Sequence, residues 1–342
     1  MHERVLGTRH LNRALLARQL LLERSPLSLD DAIEQVGGLQ TQYAPSGYVG
    51  LWTRLARFER DDLTRALENR TVIQATLLRT TIHMVSRREF WRYALGIRQA
   101  RRRWALRIPG RGSESEAIAA ADRLRAALRD GPRSVKELDG LVAGFLGNAG
   151  LWVDLVRVPP SGTWERRRAD RLGLAETWVG AEDATEAEGL AHVVRAYLRA
   201  FGPAPWKDIA SWAGLSVTDA RRGGTALELV RFRDGQGREL LDLPGAPLPD
   251  PGTPVPVRFL PHWDATLLVH ARRTGILPEV HRPRVFTTKN PFSVGTVLVD
   301  GRVVAAWSIR DGRVEVEPYE PIGARDRDEV ERERAALEAF HR

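Results

Sequence analysis

Gln40, Thr41 and Gln42 are the residues whose types and spacing most directly limit what chemistry this chain can do. They follow a Gly37-Gly38 break and precede a Tyr43-Ala44-Pro45 turn. A glutamine carbonyl accepts hydrogen bonds and its nitrogen donates two, but the amide is a poor proton acceptor and cannot balance a developing cation. Two amides so spaced can aim a water molecule and supply preorganised dipoles. That suffices for hydrolysis only when the leaving group is already activated.

Other catalytic patterns are missing. There is no His-Glu-x-x-His, Gly-x-Ser-x-Gly, Gly-x-Gly-x-x-Gly or Walker A sequence, so a nucleotide cofactor is not expected. His262, Asp264, His270 and His281 lack metal-ligand spacing and read as core or loop residues; no metal is expected. With no cysteine, disulfides and thiolate metal sites are excluded. No lysine lies near the glutamines, which argues against a Schiff-base intermediate. Tyr43, Trp263 and Asp264 are candidates for the wall of a substrate cleft.

The formal net charge is +8, and only Lys136, Lys207 and Lys289 of the 52 basic residues are lysine. From Arg79 to Arg111 run Arg79, Arg87, Arg88, Arg92, Arg98, Arg101, Arg102, Arg103, Arg107 and Arg111, against Glu89 alone. Arg98, Arg101 and Arg102 fall on one helix face, a fork-shaped donor set suited to phosphates. Arg166, Arg167, Arg168 and Arg171 form a second cluster. Concentrated positive charge favours a nucleic-acid partner. Within DNA, N7-alkylguanine suits a pair of amides, because the base is already cationic and needs no protonation to leave. No signal-peptide core and no 18-residue apolar run is present, so a cytoplasmic, soluble protein without a membrane partner is expected.

The elements that position these residues show a weak repeat. Helical segments Arg9 to Arg24, Ala117 to Asp130 and Leu190 to Phe201 are each followed by proline, at Pro26, Pro132 and Pro203. Charged pairs follow each proline at matching spacing and open a second helix, with Ser28 and Ser134 as N-caps. Leu77 to Val85 reads as a strand, and Leu155 to Trp164 as strand, turn, strand. A third helix pair, Ala204 to Leu215 and Asp219 to Glu228, precedes a strand at Leu229 to Phe232. From Arg238 the prolines at 244, 247, 249, 251, 254 and 256 break any helix. Asp300-Gly301 and Asp311-Gly312 then mark hairpins. The expected fold is α+β: winged-helix units over 1–112, 113–186 and 187–237, then a small antiparallel β-barrel closed by a C-terminal helix over 238–342.

Leu11 to Leu22, Gly37 to Pro45, Thr76 to His83, Leu260 to Asp264 and Val299 to Val304 together resemble the winged-helix family of bacterial DNA glycosylases typified by AlkZ. The resemblance spans nearly the whole chain. It implies hydrolysis of the N-glycosidic bond of bulky N7-alkylguanine lesions and, in some members, unhooking of interstrand crosslinks. Members often protect producers of DNA-alkylating natural products. The family's catalytic Gln-x-Gln, Gln-x-Asp in a sister branch, maps onto Gln40 and Gln42. Thr41 departs from the apolar residue usual between them, although its methyl group can still pack. The expectation is a monofunctional glycosylase acting as a monomer on duplex DNA, without a cofactor, gripping phosphates through Arg79, His83, Arg98, Arg101, Arg102, Arg166, Arg167 and Arg168. The alternatives are a non-enzymatic winged-helix DNA-binding protein and a family member acting on a different lesion.

Overall fold

The computed structural model describes residues 4–110, 112–267, 270–287 and 292–342. Three helix pairs recur along the chain. The first is Thr8–Arg18 and Leu29–Gln35, the second Glu114–Leu128 and Val135–Leu141, the third Glu186–Phe201 and Trp206–Ala213. The hydroxyls of Ser28 and Ser134 accept from the backbone N–H of Asp31 and Glu137, each at 3.2 Å, so both serines cap as their sequence contexts predict. The first helix is shorter than expected because Leu20 turns left-handed at φ 56°.

Helix Glu186–Phe201 runs through the largest core, where Val193, Tyr197 and Phe201 are fully buried. It crosses the 20-residue helix Arg87–Leu106 at a pair of glycines. A Cβ on Gly96 would lie 2.4 Å from the carbonyl oxygen of Gly189, so only glycine allows this approach. Arg18, wholly buried, meets both oxygens of Asp242 at 2.7 Å and ties the first helix to strand Glu239–Asp242.

Each helix pair is followed by an antiparallel strand pair. Val72–Thr76 pairs with Ile82–Ser86, Leu155–Arg157 with Arg171–Leu174, and Val230–Asp234 with Glu239–Asp242. The first two pairs join in one six-stranded sheet, ordered Leu39–Gln40, Ile82–Ser86, Val72–Thr76, Leu155–Arg157, Arg171–Leu174 and Arg133–Ser134.

Two strand expectations are corrected. The strand predicted over Leu77 to Val85 is broken by a turn at Leu78–Thr80, where Arg79 and Thr80 take φ 52° and 59°. The return strand after Leu155 is Arg171–Leu174, and Trp164 belongs to the intervening loop. Its ring is buried against Tyr48 and Phe340, at 5.5 and 5.8 Å between centroids, and that burial outweighs strand pairing.

The C-terminal region is an open sheet, not a closed barrel. Its order is Arg258–Leu260, Gly295–Val299, Arg302–Arg310 and Arg313–Pro318. The outer strands do not meet, and helix Ala324–His341 packs against both. Four strands are too few to close on themselves, so a helix covers the face a barrel would enclose. The two predicted hairpins are present, with Asp300-Gly301 at φ 44° and 73° and Asp311-Gly312 at 49° and 74°. No helix among the described residues is long and apolar enough to cross a membrane.

Candidate active site

Gly37 and Gly38 lie in the left-handed region, at φ 80° and 82°, and turn the chain out of helix Leu29–Gln35. Strand Leu39–Gln40 then joins the sheet edge, with Leu39 opposite Met84 and Gln40 opposite His83. Gln40 and His83 therefore share a face. Thr41 points the other way and is buried; its hydroxyl accepts from Gln74 Nε2 at 3.1 Å. Its methyl crowds Gly47, where a Cβ would lie 3.0 Å away.

The two glutamines are held by different donors. Gln40 Oε1 accepts from Arg79 Nη2 at 3.0 Å, and Gln42 Oε1 accepts from the Ile82 backbone N–H at 3.2 Å. Each donor fixes its amide with the oxygen toward the strand pair and turn of residues 72–86 and the NH₂ away from it. Gln42 is exposed, Gln40 half-buried. The buried His83 ring donates from Nδ1 to the Thr81 carbonyl, 3.0 Å away. Burial, reinforced by the charge of Arg79, lowers its pKa to about 3, so the imidazole is neutral at pH 7.

Beside the motif opens a cleft of about 540 Å³ lined by Tyr43, Trp164, Arg167, His262, Trp307 and His341 among others. His262 and Ser46 also line a narrow crevice that reaches Gln40, Trp263 and Asp264. Tyr43 stands edge-on to His262 at 5.6 Å, and His262 to Trp307 at 5.9 Å. Burial holds His262 neutral, with its pKa near 4. Trp263, left-handed at φ 62°, donates its backbone N–H to the Ser293 hydroxyl. Asp264 lies beneath, its two oxygens each 2.9 Å from Arg54. Burial alone would raise its pKa, but Arg54 and Thr266 bring it below the ordinary value. Asp264 therefore braces the wall.

A family model described as "DNA glycosylase AlkZ-like" matches residues 33–340, a span that takes in both glutamines and nearly the whole cleft. The chain belongs to the AlkZ-like DNA glycosylase family. The fold is similar to that of the Streptomyces sahachiroi DNA glycosylase AlkZ, with a TM-score of 0.82 and 20% identity over 98% of this chain and 97% of that one. No sequence among curated proteins matches. Membership decides between the readings of the sequence: an AlkZ-like glycosylase is a hydrolase with DNA as substrate, not a passive DNA-binding protein.

In this AlkZ-like glycosylase the arginines divide into two groups. Arg166, Arg167 and Arg168 are exposed on the loop after strand Leu155–Arg157. The Ser161 hydroxyl closes that loop by accepting from the N–H groups of Asp170 and Arg171 at 2.7 and 3.0 Å. Arg167 donates to the Tyr43 hydroxyl at 3.1 Å and lies over Trp164, joining the basic loop to the cleft. The predicted phosphate face of helix Arg87–Leu106 is largely engaged within the protein. Arg98 pairs with Asp154 at 2.7 Å and with Glu182. Arg101 is buried and donates to the Thr76 carbonyl at 2.6 Å. Arg102 bonds the Leu151 carbonyl at 3.1 Å and stacks on Trp152. Arg79 turns inward to Gln40, and Arg111 lies outside the described residues.

Sequence reasoning missed Trp164 and Trp307 and weighed His262 only as a metal ligand. The alternation Val303, Ala305, Trp307 on strand Arg302–Arg310 is the signal that marks Trp307 as inward-facing. His270 bonds the Tyr197 hydroxyl at 3.0 Å and His281 faces Glu320 at 3.3 Å, so these histidines are dispersed. No metal-ligating cluster occurs among the described residues.

Proposed function

We propose that this glycosylase hydrolyses the C1′–N9 bond of N7-alkylguanine in duplex DNA, bulky natural-product adducts and interstrand crosslinks included, as repair or self-resistance in the cytoplasm. One observation carries the reading: the two histidines and the carboxyl group nearest the glutamines are all held in their proton-poor forms. His83 and His262 are neutral at pH 7, and Asp264 is ionised against Arg54. A site without a general acid suits a base that leaves without protonation.

The two glutamines then divide the work. Gln42 Oε1 accepts a neutral N–H and keeps a second lone pair for a water hydrogen, in an exposed position. Gln40 Oε1 is committed to a guanidinium, so its NH₂ is the end that meets the water oxygen. Water oxygen bonds to C1′, the C1′–N9 electron pair returns to the cationic ring, and the water's surplus proton passes to solvent. The aromatic cleft receives the extruded base by stacking. Arg166, Arg167, Arg168 and the outer edge of Arg102 contact phosphates. In this reading the molecule is a monomer built of winged-helix units over 1–112, 113–186 and 187–237, with residues 238–342 carrying the far wall of the cleft.

The test is release of N7-methylguanine from duplex DNA under single-turnover conditions. Gln42→Ala is expected to slow release by roughly 10²–10³-fold, with Gln40→Ala less severe. Wild-type rates in both variants would overturn the site.

A further inference from the structure

Arg79 has an unusual setting. Its backbone is left-handed at φ 52°, followed by a left-handed Thr80 at 59°, conformations costly for non-glycine residues. The segment lies flat against Gly214, itself at φ 73°, where a Cβ would come within 3.4 Å of the Arg79 N and Cα atoms. One guanidinium nitrogen reaches Gln40 Oε1 at 3.0 Å, and the other donates to the Trp212 carbonyl. That carbonyl lies in the last turn of helix Trp206–Ala213, where the helix dipole is negative. No carboxylate pairs with Arg79 among the described residues. The histidines nearest in charge, His83 and His270, are held neutral chiefly by burial and then by Arg79 itself. Burial lowers the pKa of Arg79 to about 10, which still leaves it charged at pH 7. A lone cation, on a strained backbone, is thus aimed at one amide oxygen.

The structure assigns Arg79 a positioning function in hydrolysis: its guanidinium fixes the orientation of the Gln40 amide, and through it the water, instead of gripping a DNA phosphate. This rests on the reading that Gln40 belongs to the site. With Oε1 held by the guanidinium, the Gln40 NH₂ is kept in one orientation, and its hydrogen bond to the water oxygen leaves the other lone pair aimed at C1′. The Trp212 carbonyl sets the reach of the side chain, so the third helix pair holds the motif that follows the first.

The experiment is a double-mutant cycle on single-turnover N7-methylguanine release, with Arg79→Met, Gln40→Ala and the pair, alongside DNA affinity at several salt concentrations. Arg79→Met is expected to lower the rate at saturating DNA by on the order of 10- to 100-fold. In the Gln40→Ala background it should cost little more. The salt slope of binding should not change, whereas loss of a phosphate contact would reduce it by about 0.9. Additive losses, or a reduced slope with a normal saturated rate, would overturn the assignment while leaving Gln40→Ala to report separately on the site. If Arg79→Met fails to fold, Arg79→Lys keeps the charge but cannot reach Gln40 Oε1 and the Trp212 carbonyl together as the guanidinium does. It should show a smaller loss, again absent in the Gln40→Ala background, and an additive loss there would overturn the assignment equally.

Discussion

The aromatic cleft lined by Tyr43 and the cavity between helix Arg87–Leu106 and the second helix pair enclose similar volumes, about 540 and about 500 Å³. Their walls differ in kind. The second is lined by Thr76, Thr80, Arg101, Trp104, Asp154 and Arg157 among others. Its arginines are turned mostly to one residue: Arg101 bonds the Thr76 carbonyl and faces Asp154 at 3.7 Å, while Arg157 bonds the Thr76 hydroxyl at 3.0 Å. The cleft instead offers ring faces, and no carboxylate occurs among its described lining residues. Volume alone therefore does not mark the site. One cavity has arginines that reach across to hold two regions of the chain together, and the other leaves aromatic surface for a planar guest.

Substitutions on each side test that contrast. Asp154→Ala should have the largest effect, because it removes one of the two carboxylates that pair with Arg98 and the one that faces the buried Arg101. A loss of roughly 2–3 kcal/mol in denaturant unfolding is expected, with the excision rate of the folded fraction unchanged. A variant that folded normally but excised slowly would move the site toward the second cavity. Tyr43→Ala should do the opposite. Removing this half-exposed ring should cost about 1–3 kcal/mol of base stacking, read as weaker excision of N7-methylguanine with little change in thermal stability.

The smallest effect concerns pH. His83 and His262 have folded pKa values of about 3 and about 4, below the free value. Such depressed groups stabilise the fold above the free histidine pKa, and that contribution is lost as pH falls through the folded values. Thermal stability should decline below roughly pH 6.5, while excision at saturating DNA stays flat from roughly pH 5 to 8. A rate that titrated with one group near pH 6 would put a histidine in the chemistry.

Local demands were readable from the sequence. Asp300-Gly301 and Asp311-Gly312 need left-handed backbone, Ser28 and Ser134 need only a nearby N–H, and all are found as expected. The glutamine pair could likewise be singled out, because its chemistry depends on residue type. What depends on distant partners was hidden. Arg98 and Arg101 stand in a segment with one acid, yet Asp154 and Glu182 reach them from more than 50 residues away. The sheet joining the first two helix pairs, and the withdrawal of Trp164 from its hairpin, are likewise set by burial between remote segments. The barrel expectation failed because hairpin signals specify neighbours in a sheet but not whether its edges close.

Thr41, the departure from the usual apolar middle residue, is half of a buried couple. Its hydroxyl satisfies the amide nitrogen of Gln74 at 3.1 Å, and the other end of that amide lies where a Cβ on Gly162 would fall, 2.2 Å away. Replacing Thr41 with valine alone would strand a buried amide; replacing Gln74 alone would strand the hydroxyl. The two positions are therefore coupled, and a change at one is compensated only by a matching change at the other. The identity of Thr41 is tied to Gln74, and the shape of the basic loop to both.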